Sequence, residues 1–348
     1  MELKKIQDVS DLENKKILLR VDFNVAVKND EVLESYKINA ARDTLKYLLN
    51  KDAKVALVSH LGRPDGKKDP AFSLEQIAKS VGKILGEKVI YFNDCIGKKV
   101  TVMLENLRYG EVLLLENIRF YPEEEQNDPA FALNMAKNFD LYVNDAFSVC
   151  HRDQASVTGV AKLLPSYAGF WLQKEIENLD KIKIDPLHPA VAIIGGAKIE
   201  TKLPVINILE KNYDFVLVGG KIAAEAQEQK IKFSSKVVLA EDFAKDGLDI
   251  GPKAVEKYKK IISHAKTIIW NGPMGKFEEK PYDFGTLEIL RAVIESPAYT
   301  LVGGGESVQV LEENNAMDKI SFVSTGGGAM LEYLSGNKLP GIEVLYDK

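Results

Sequence analysis

The sequence predicts an α/β protein with two doubly wound parallel-sheet domains. Short apolar runs of β-strand type alternate with helical stretches along almost the whole chain, which is the pattern of successive βαβ units. A chain of 348 residues is longer than a domain with one ordinary hydrophobic core, so two domains are expected. The second half also carries five glycine clusters that each follow an apolar run, whereas the strands of the first half end in charged and polar residues.

The first domain is predicted at residues 1–167. Helices are expected near 37–50, 73–85 and 129–138, where apolar residues recur at helical spacing. The intervening strands are predicted at 16–21, 54–59, 88–92, 111–116 and 140–145.

A second, Rossmann-like domain is predicted at residues 189–334. Segment 168–188 begins with helical spacing, which the stretch IDPLHPA (184–190) with its two prolines interrupts, and this pattern predicts an interdomain helix and linker. The tail 335–348 is too short to form its own unit, so we expect it to pack back on the first domain. The strands of the second domain are predicted near 190–194, 214–218, 236–239, 266–270, 299–302 and 320–323.

The composition is that of a soluble globular protein, with 45% hydrophobic and 28% charged residues. A net charge of −5 gives no overall attraction to nucleic acid or to an anionic membrane. No signal peptide or membrane-spanning run is apparent. Only Cys95 and Cys150 are present, which favours a reducing cytoplasm with free thiols. We expect a cytoplasmic monomer.

The glycine clusters predict a phosphate site. Glycine at the end of a strand lets backbone N–H groups approach a ligand, and a following helix N-terminus adds positive potential. A single glycine pair is more often a tight turn, but five after strands favour a ligand. The clusters are AIIGGAK (192–198), VLVGGK (216–221), IIWNGPMG (268–275), TLVGGGES (300–307) and FVSTGGGA (322–329).

The first-half strand ends predict an anion site. Carboxyl ends of parallel strands share one edge of the sheet, where ligands bind. A single arginine is more often part of a surface ion pair, so the evidence lies in the clustering. Guanidinium groups match the oxygens of carboxylates and phosphates. The residues at these ends are Asp22, Asn24, His60, Arg63, Arg119, His151 and Arg152.

An anion site in one domain and a phosphate site in the other indicate phosphoryl transfer across an interdomain cleft. The sequence contains no P-loop, no G-x-G-x-x-G after the first strand of either half and no H-R-D catalytic loop. These absences argue against P-loop NTPases, dinucleotide-dependent dehydrogenases and protein kinases.

The motifs RVDFNV, SHLGRP, LLLENIRFYPEEE, VNDAF, GGAK, LDIGP, WNGPMGKFE, VGGG and STGGGA resemble, in this order, those of phosphoglycerate kinases. The resemblance runs from about residue 16 to 341. It implies the phosphoglycerate kinase fold, with a hinge helix joining the domains. It also implies phosphoryl transfer between 1,3-bisphosphoglycerate and ADP, giving 3-phosphoglycerate and ATP in glycolysis.

The resemblance assigns a role to each matching position. Asp22 and Asn24 would hold the hydroxyl and carboxylate side of phosphoglycerate, and four basic residues would surround its phosphate. The full substrate set is Asp22, Phe23, Asn24, Lys37, His60, Leu61, Gly62, Arg63, Arg119 and Arg152. The nucleotide set is Gly195, Gly196, Ala197, Lys198, Lys202, Gly219, Gly220, Gly247, Asn271, Pro273, Glu278, Gly304, Gly305, Glu306 and Ser307.

The catalytic set implied by the resemblance is Lys37, Lys202, Gly327 and Gly328. Glu306 would meet the Mg²⁺ that accompanies the nucleotide. The attacking oxygen is already ionised in either direction, so no general base is required. Catalysis would come from domain closure, positioning and neutralisation of charge.

The sequence departs from the family pattern at three positions and one gap. Lys37 replaces the arginine that reaches the moving phosphoryl group, Glu306 replaces an aspartate and Lys221 replaces a glycine. The region 230–247 is shorter than usual, which leaves the preference for ATP or GTP open. Two alternatives are a catalytically weak homologue that binds nucleotide or phosphoglycerate, and a kinase for a different carboxylate-bearing phosphate ester.

Overall fold

The computed structural model describes residues 2–244 and 247–347, which form two compact units. The first unit consists of the chain up to Glu175 together with the residues from Lys338 onward. The second unit extends from Ile176 to Asn337. The division falls inside the segment predicted as the interdomain helix.

A parallel sheet forms the centre of the first unit. Its strand order is β5-β6-β4-β1-β7-β8, and every neighbouring pair is parallel. A small antiparallel hairpin, β2–β3, lies outside this sheet. The strands are β1 (Lys16–Arg20), β2 (Val27–Lys28), β3 (Glu31–Val32), β4 (Lys54–Val58), β5 (Lys88–Phe92), β6 (Glu111–Leu115), β7 (Leu141–Asn144) and β8 (Ser166–Ala168).

Helices cover both faces of this sheet. Ile17 and Leu19 of β1 belong to one apolar core, and Leu18 between them belongs to a second core on the opposite face. This alternation follows from the two-residue period of a strand. The helices of the first unit are α1 (Tyr36–Ala40), α2 (Arg42–Leu49), α3 (Glu75–Leu85), α4 (Lys98–Asn106), α5 (Pro122–Glu125), α6 (Pro129–Ala136) and the start of α7 (Phe170–Ile184).

The second unit has the doubly wound order β11-β10-β9-β12-β13-β14, again with parallel neighbours throughout. The connections leave β9 and β12 towards opposite edges of the sheet, so a crevice opens between the carboxyl ends of these two strands. The strands are β9 (Ala190–Ile194), β10 (Phe215–Val218), β11 (Val237–Leu239), β12 (Thr267–Asn271), β13 (Tyr299–Gly303) and β14 (Phe322–Ser324).

Further helices complete the described chain. Among residues 2–244 and 247–347, no helix combines the length and the apolar character needed to cross a membrane. The remaining helices are α8 (Ile199–Asn212), α9 (Gly220–Glu228), α10 (Pro252–Ile262), α11 (Phe284–Glu295), α12 (Gly305–Glu313), α13 (Gly327–Leu334) and α14 (Pro340–Glu343).

The predicted α/β class with two parallel sheets is confirmed, and the predicted strands lie within one or two residues of the observed ones. The sequence prediction missed β8 and the β2–β3 hairpin, which are too short to show a periodic pattern. It also missed α4. The helix predicted at 37–50 is divided at Ala41 into α1 and α2.

The C-terminal residues pack on the first unit. Lys4 N–H donates to the carbonyl of Leu345 at 3.0 Å, and Gly341 N–H donates to the carbonyl of Cys150 at 2.9 Å. The Asn144 amide, at the end of β7, donates to the carbonyl of Gly341 at 3.2 Å. The chain thus ends against the unit in which it began.

Asp145 attaches the end of β7 to the N-terminus of α7. Its Oδ1 accepts the backbone N–H groups of Trp171 at 2.8 Å and Leu172 at 3.0 Å. Burial raises the pKa of Asp145 to about 7, although Thr44, the two N–H bonds and Lys174 act in the opposite direction. This carboxyl group therefore stabilises the helix start but is costly to ionise.

We predict that Asp145→Asn alters the pH dependence of stability. Between pH 3.8 and about 7 the folded protein binds more protons at this site than the unfolded chain, so its stability contribution falls as pH rises. Asparagine keeps the acceptor and cannot ionise. The stability of the variant relative to wild type, measured by urea unfolding, should increase across this window. Asp145→Ala should instead cost about 1–2 kcal/mol through loss of the helix cap. If the free energy of unfolding of wild type and of Asp145→Asn changed with pH in parallel, the raised pKa assigned to Asp145 would be wrong.

Candidate active site

A first candidate site, in the first unit, surrounds Asp22, which follows β1. Its Oδ1 accepts the backbone N–H of Asn24 at 2.9 Å, and its Oδ2 accepts the Ser148 hydroxyl at 2.6 Å. The Lys37 ammonium lies 3.6 Å from Oδ2. Burial alone would raise the pKa of Asp22, but Lys37, His60 and these hydrogen bonds outweigh it and lower the pKa to about 2. Asp22 is thus a firmly ionised, oriented carboxylate.

Asn24 connects the loop after β1 with the loop that carries Gly62 and with Lys37 of α1. Its side-chain oxygen accepts the N–H of Gly62 at 2.8 Å, and its carbonyl accepts the Lys37 ammonium at 3.0 Å. Arg119 donates to the carbonyl of Gly62 at 2.8 Å. Gly62 has φ +62°, and a Cβ there would lie 2.3 Å from the Phe72 ring, so only glycine fits.

Positive charge is concentrated behind these loops. Burial, Arg20 and Arg152 together lower the pKa of Arg119 to about 10, against the opposing effect of Glu125 and Glu124. Burial also lowers the pKa of His60 well below its usual value, so the ring is neutral at pH 7. A buried cation whose pKa is lowered by neighbouring cations favours an anionic ligand.

The structure distributes the predicted substrate residues unevenly. Asp22, Asn24, Lys37, His60, Gly62 and Arg119 lie together, and Arg152 is close enough to lower the pKa of Arg119. Arg63 is exposed. Phe23 and Leu61 belong to an apolar core of the first unit, so they contribute main chain and shape.

A second candidate site, in the second unit, is a cavity of about 680 Å³ at the carboxyl ends of the second sheet. The Lys202 ammonium donates to Asn271 Oδ1 at 2.5 Å. Burial lowers the pKa of Lys202, and Glu306 raises it. The predicted residues that line the cavity are Gly195, Gly196, Ala197, Lys202, Asn271, Gly304, Gly305, Glu306, Ser307, Gly327 and Gly328.

Close backbone approaches explain two of these glycines. A Cβ on Gly327 would lie 2.6 Å from the Cα of Gly304, and a Cβ on Gly195 would lie 2.0 Å from the carbonyl oxygen of Pro273. Gly272 N–H donates to the Ser307 hydroxyl at 2.8 Å, which fixes the loop after β12 against the start of α12. The loops are therefore packed main chain against main chain.

A smaller cavity of about 240 Å³ borders the first, and Gly196, Ala197 and Glu306 line both. Lys221 lines only the smaller one, and its ammonium lies 3.6 Å from Glu225. The other residues around it are Gly220, Leu248, Pro273, Gly275, Lys276 and Glu278.

Within the part of the chain that the structure describes, three of the predicted nucleotide-binding residues line neither cavity. Lys198 is exposed just before α8. Gly219 approaches Met274, whose sulfur a Cβ would meet at 2.4 Å, and Gly247 occupies a turn with φ +71°. The two glycines therefore shape the backbone and line neither cavity.

Sequence reasoning missed Ser148 and Arg20. Ser148 gave no signal, because a serine in a loop is uninformative. Arg20 did give a signal, because a charged residue at the end of an apolar run is unusual. The structure shows that this side chain is only 1% exposed. Among the described residues, no group of three or more His, Cys, Asp or Glu side chains forms a metal cluster. The carboxylate of Glu306, which lines both cavities, is of the kind that holds Mg²⁺ together with substrate phosphates.

The sequence profile of phosphoglycerate kinase matches residues 6–238 and 223–337. The chain belongs to the phosphoglycerate kinase family. It is 41% identical to the phosphoglycerate kinase of Moorella thermoacetica, over 97% of this chain and 98% of that protein. The Rubrobacter xylanophilus protein is also 41% identical, over 100% and 99% of the two chains.

Solved phosphoglycerate kinase structures share the fold. The Pyrococcus horikoshii enzyme matches with a TM-score of 0.88 at 29% identity, over 99% of this chain and 98% of its own. The Coxiella burnetii enzyme matches with a TM-score of 0.80 at 31% identity, over 99% of both chains.

Length is the main departure from these family members. The alignment with the Rubrobacter protein spans 391 positions, whereas this chain has 348 residues, a difference of 43 positions without a counterpart here. The two segments of the profile match overlap at 223–238. This overlap coincides with the beginning of the region that the sequence indicates as shortened.

We predict that Gly327→Ala destabilises the second unit by about 1–3 kcal/mol, because the added methyl group would overlap the Gly304 backbone. Gly305→Ala is the matched control, since a Cβ there meets nothing within 4 Å and the residue begins a helix. It should change stability by less than about 1 kcal/mol. Denaturant unfolding of both variants distinguishes the sites, and equal losses would refute the close-packing argument.

Proposed function

We propose that the chain transfers a phosphoryl group between 1,3-bisphosphoglycerate and ADP, producing 3-phosphoglycerate and ATP. The supporting observation is the pair of half-sites, one cationic around Asp22 and Arg119 and one glycine-lined around Lys202, in a chain of this family. The reaction belongs to glycolysis. A cytoplasmic location and a monomeric state remain predictions from the sequence.

Phosphoglycerate is proposed to bind along the first half-site. Asp22 is ionised and can accept the substrate hydroxyl, while Asn24 orients the loop that carries Gly62. His60, Arg63, Arg119 and Arg152 are proposed to surround the phosphate. Burial strengthens the attraction of Arg119 for an anion, because less water screens its charge.

The nucleotide is proposed to occupy the second half-site, with its phosphates in the larger cavity and its nucleoside in the smaller one. The helix starts at Gly305 and Gly327 supply N–H groups and positive potential. Glu278 lines the smaller cavity, where it can accept ribose hydroxyl groups. Glu306 would hold Mg²⁺, which neutralises phosphate charge when bound.

Catalysis is proposed to need no general base, because the attacking carboxylate or phosphate oxygen is already ionised. Lys37 and Lys202 would offset the charge of the transferring group, and the N–H groups of Gly327 and Gly328 would receive its oxygens. Partial burial keeps Lys202 close to Asn271 and limits competition from water.

Closure of the two domains is proposed to bring the half-sites together and exclude water. We place the hinge in residues 168–188 and in the tail 335–348. Small-angle scattering should therefore show a smaller radius of gyration with 3-phosphoglycerate and Mg-nucleotide both bound than with either alone. An unchanged radius with both ligands saturating would contradict closure.

A coupled assay with purified protein, 3-phosphoglycerate and Mg-ATP tests the proposed reaction. Turnover supports it. Ligand-dependent thermal stabilisation without turnover would instead indicate a binding protein, the alternative that the sequence raised at Lys37. Parallel assays with GTP address the base preference.

We predict that Lys37→Arg increases kcat, by about tenfold. Losing one preorganised donor typically costs two to three orders of magnitude, and lysine recovers part of this because it keeps the charge but not the guanidinium fork. Exposed Lys51 provides a control, and Lys51→Arg should leave the rate unchanged. A rate for Lys37→Arg at or below wild type would show that the ammonium is already the better donor here.

A further inference from the structure

Arg20 lies beneath the phosphoglycerate loops, and the proposed reaction assigns it no role. The side chain is only 1% exposed. Its Nε donates to the Ser156 hydroxyl at 3.0 Å, and one terminal nitrogen donates to the carbonyls of Val21 and Val58 at 2.5 and 3.5 Å. The other terminal nitrogen lies 3.3 Å from Nδ1 of His60.

The chemistry of arginine decides the direction of that last contact. A guanidinium group has only donors and stays protonated in proteins. His60 Nδ1 must therefore be the acceptor, so it carries no hydrogen. A neutral imidazole with an unprotonated Nδ1 carries its hydrogen on Nε2. The only N–H group that His60 can offer to a ligand is then Nε2–H.

The surroundings of His60 keep the ring neutral. Its charged neighbours are Asp22, which favours the imidazolium, and Arg20, Arg119 and Lys37, which oppose it. Burial acts in the same direction as the three cations and is the largest effect, so the pKa lies well below its usual value. Two of the opposing cations, Arg20 and Arg119, are themselves buried.

A buried carboxylate holds Arg20 in place through one serine. Glu124 accepts both the backbone N–H of Ser156 at 2.7 Å and its hydroxyl at 2.6 Å. The same hydroxyl oxygen accepts Arg20 Nε, so the chain Glu124–Ser156–Arg20–His60 is continuous. Burial raises the pKa of Glu124, and Arg20 is the largest influence that lowers it. A carboxylate this close offsets the cost of burying the guanidinium.

We propose that Arg20 is a positioning residue that fixes His60 as the neutral Nε2–H tautomer, which presents one hydrogen-bond donor to phosphoglycerate. The substrate part of this inference rests on the proposed function. Arg20 does not need to touch the substrate, because it acts through the ring. A donor whose tautomer is set before binding needs no proton rearrangement when the anion arrives.

The tautomer can be measured directly by two-dimensional ¹H–¹⁵N correlation of the imidazole rings. The chain has four histidines, so His60→Gln identifies the relevant signals. We expect the Nε2–H pattern for His60 at pH 7, with protonation only at a pH well below that at which an ordinary histidine titrates. An Nδ1–H pattern or an imidazolium at pH 7 would overturn the proposal. This readout needs neither turnover nor a folded Arg20 variant.

Variants of Arg20 add a kinetic test. Arg20→Met should give mixed tautomers and raise the KM for 3-phosphoglycerate about tenfold, with the KM for nucleotide unchanged. Arg20→Lys keeps a donor for Nδ1 and should restore most of both properties. Arg42, which donates to the carbonyl of Ile84 and has no described contact with His60, provides the control Arg42→Lys. An unaltered tautomer and an unaltered KM in Arg20→Met would refute the positioning role.

The two readouts separate this proposal from the proposed function. Inactive wild-type protein with an Nε2–H tautomer would reject the kinase reaction and support the arginine–histidine relation. Active protein with an Nδ1–H tautomer would support the kinase reaction and reject the arginine–histidine relation.

Discussion

The carboxyl edge of each parallel sheet is the constraint on which both half-sites depend. Ile17, Leu18 and Leu19 alternate between two apolar cores, so neither face of the first sheet can accept a charged ligand. Polar groups can reach solvent only where strands end. Asp22 follows β1, and Asn271 is the last residue of β12. The chemistry of each unit is thus concentrated at the one place where a doubly wound sheet leaves its backbone open.

Buried positive charge makes the first half-site selective for anions. Arg20 and Arg119 lie within a layer where removing a cation from water is expensive. Glu124 compensates Arg20 through Ser156, whereas Arg119 lies 3.8 Å from the half-exposed side chain of Glu125 and is also influenced by Glu124. Under the proposed function, the phosphate of the substrate would pair with the buried guanidinium of Arg119, whose position is set by the fold before the ligand arrives.

Local pattern predicted much of this arrangement from sequence. Each strand had its own apolar run, and the residues after each run are local to it, so Asp22, His60 and Arg119 could be assigned to one edge. The sequence could not show which partners meet there. Ser148 bonds to Asp22 across 126 positions and Ser156 bonds to Arg20 across 136, and no local signal predicts such pairs. Short elements such as β8 were not predicted for a related reason, because three residues are too few to show the alternation of a strand.

The Lys37 departure illustrates how one substitution affects two properties. Its ammonium group already serves the carbonyl of Asn24 and the carboxylate of Asp22, and it is the largest influence that lowers the pKa of Asp22. An ammonium group has three donors, and two of them are directed at these partners. The five donors of arginine would allow the same two contacts with more to spare. Lysine therefore keeps Asp22 ionised and holds the Asn24 loop in place. Under the proposed function, it leaves fewer hydrogen-bond donors for the transferring phosphoryl group than arginine would.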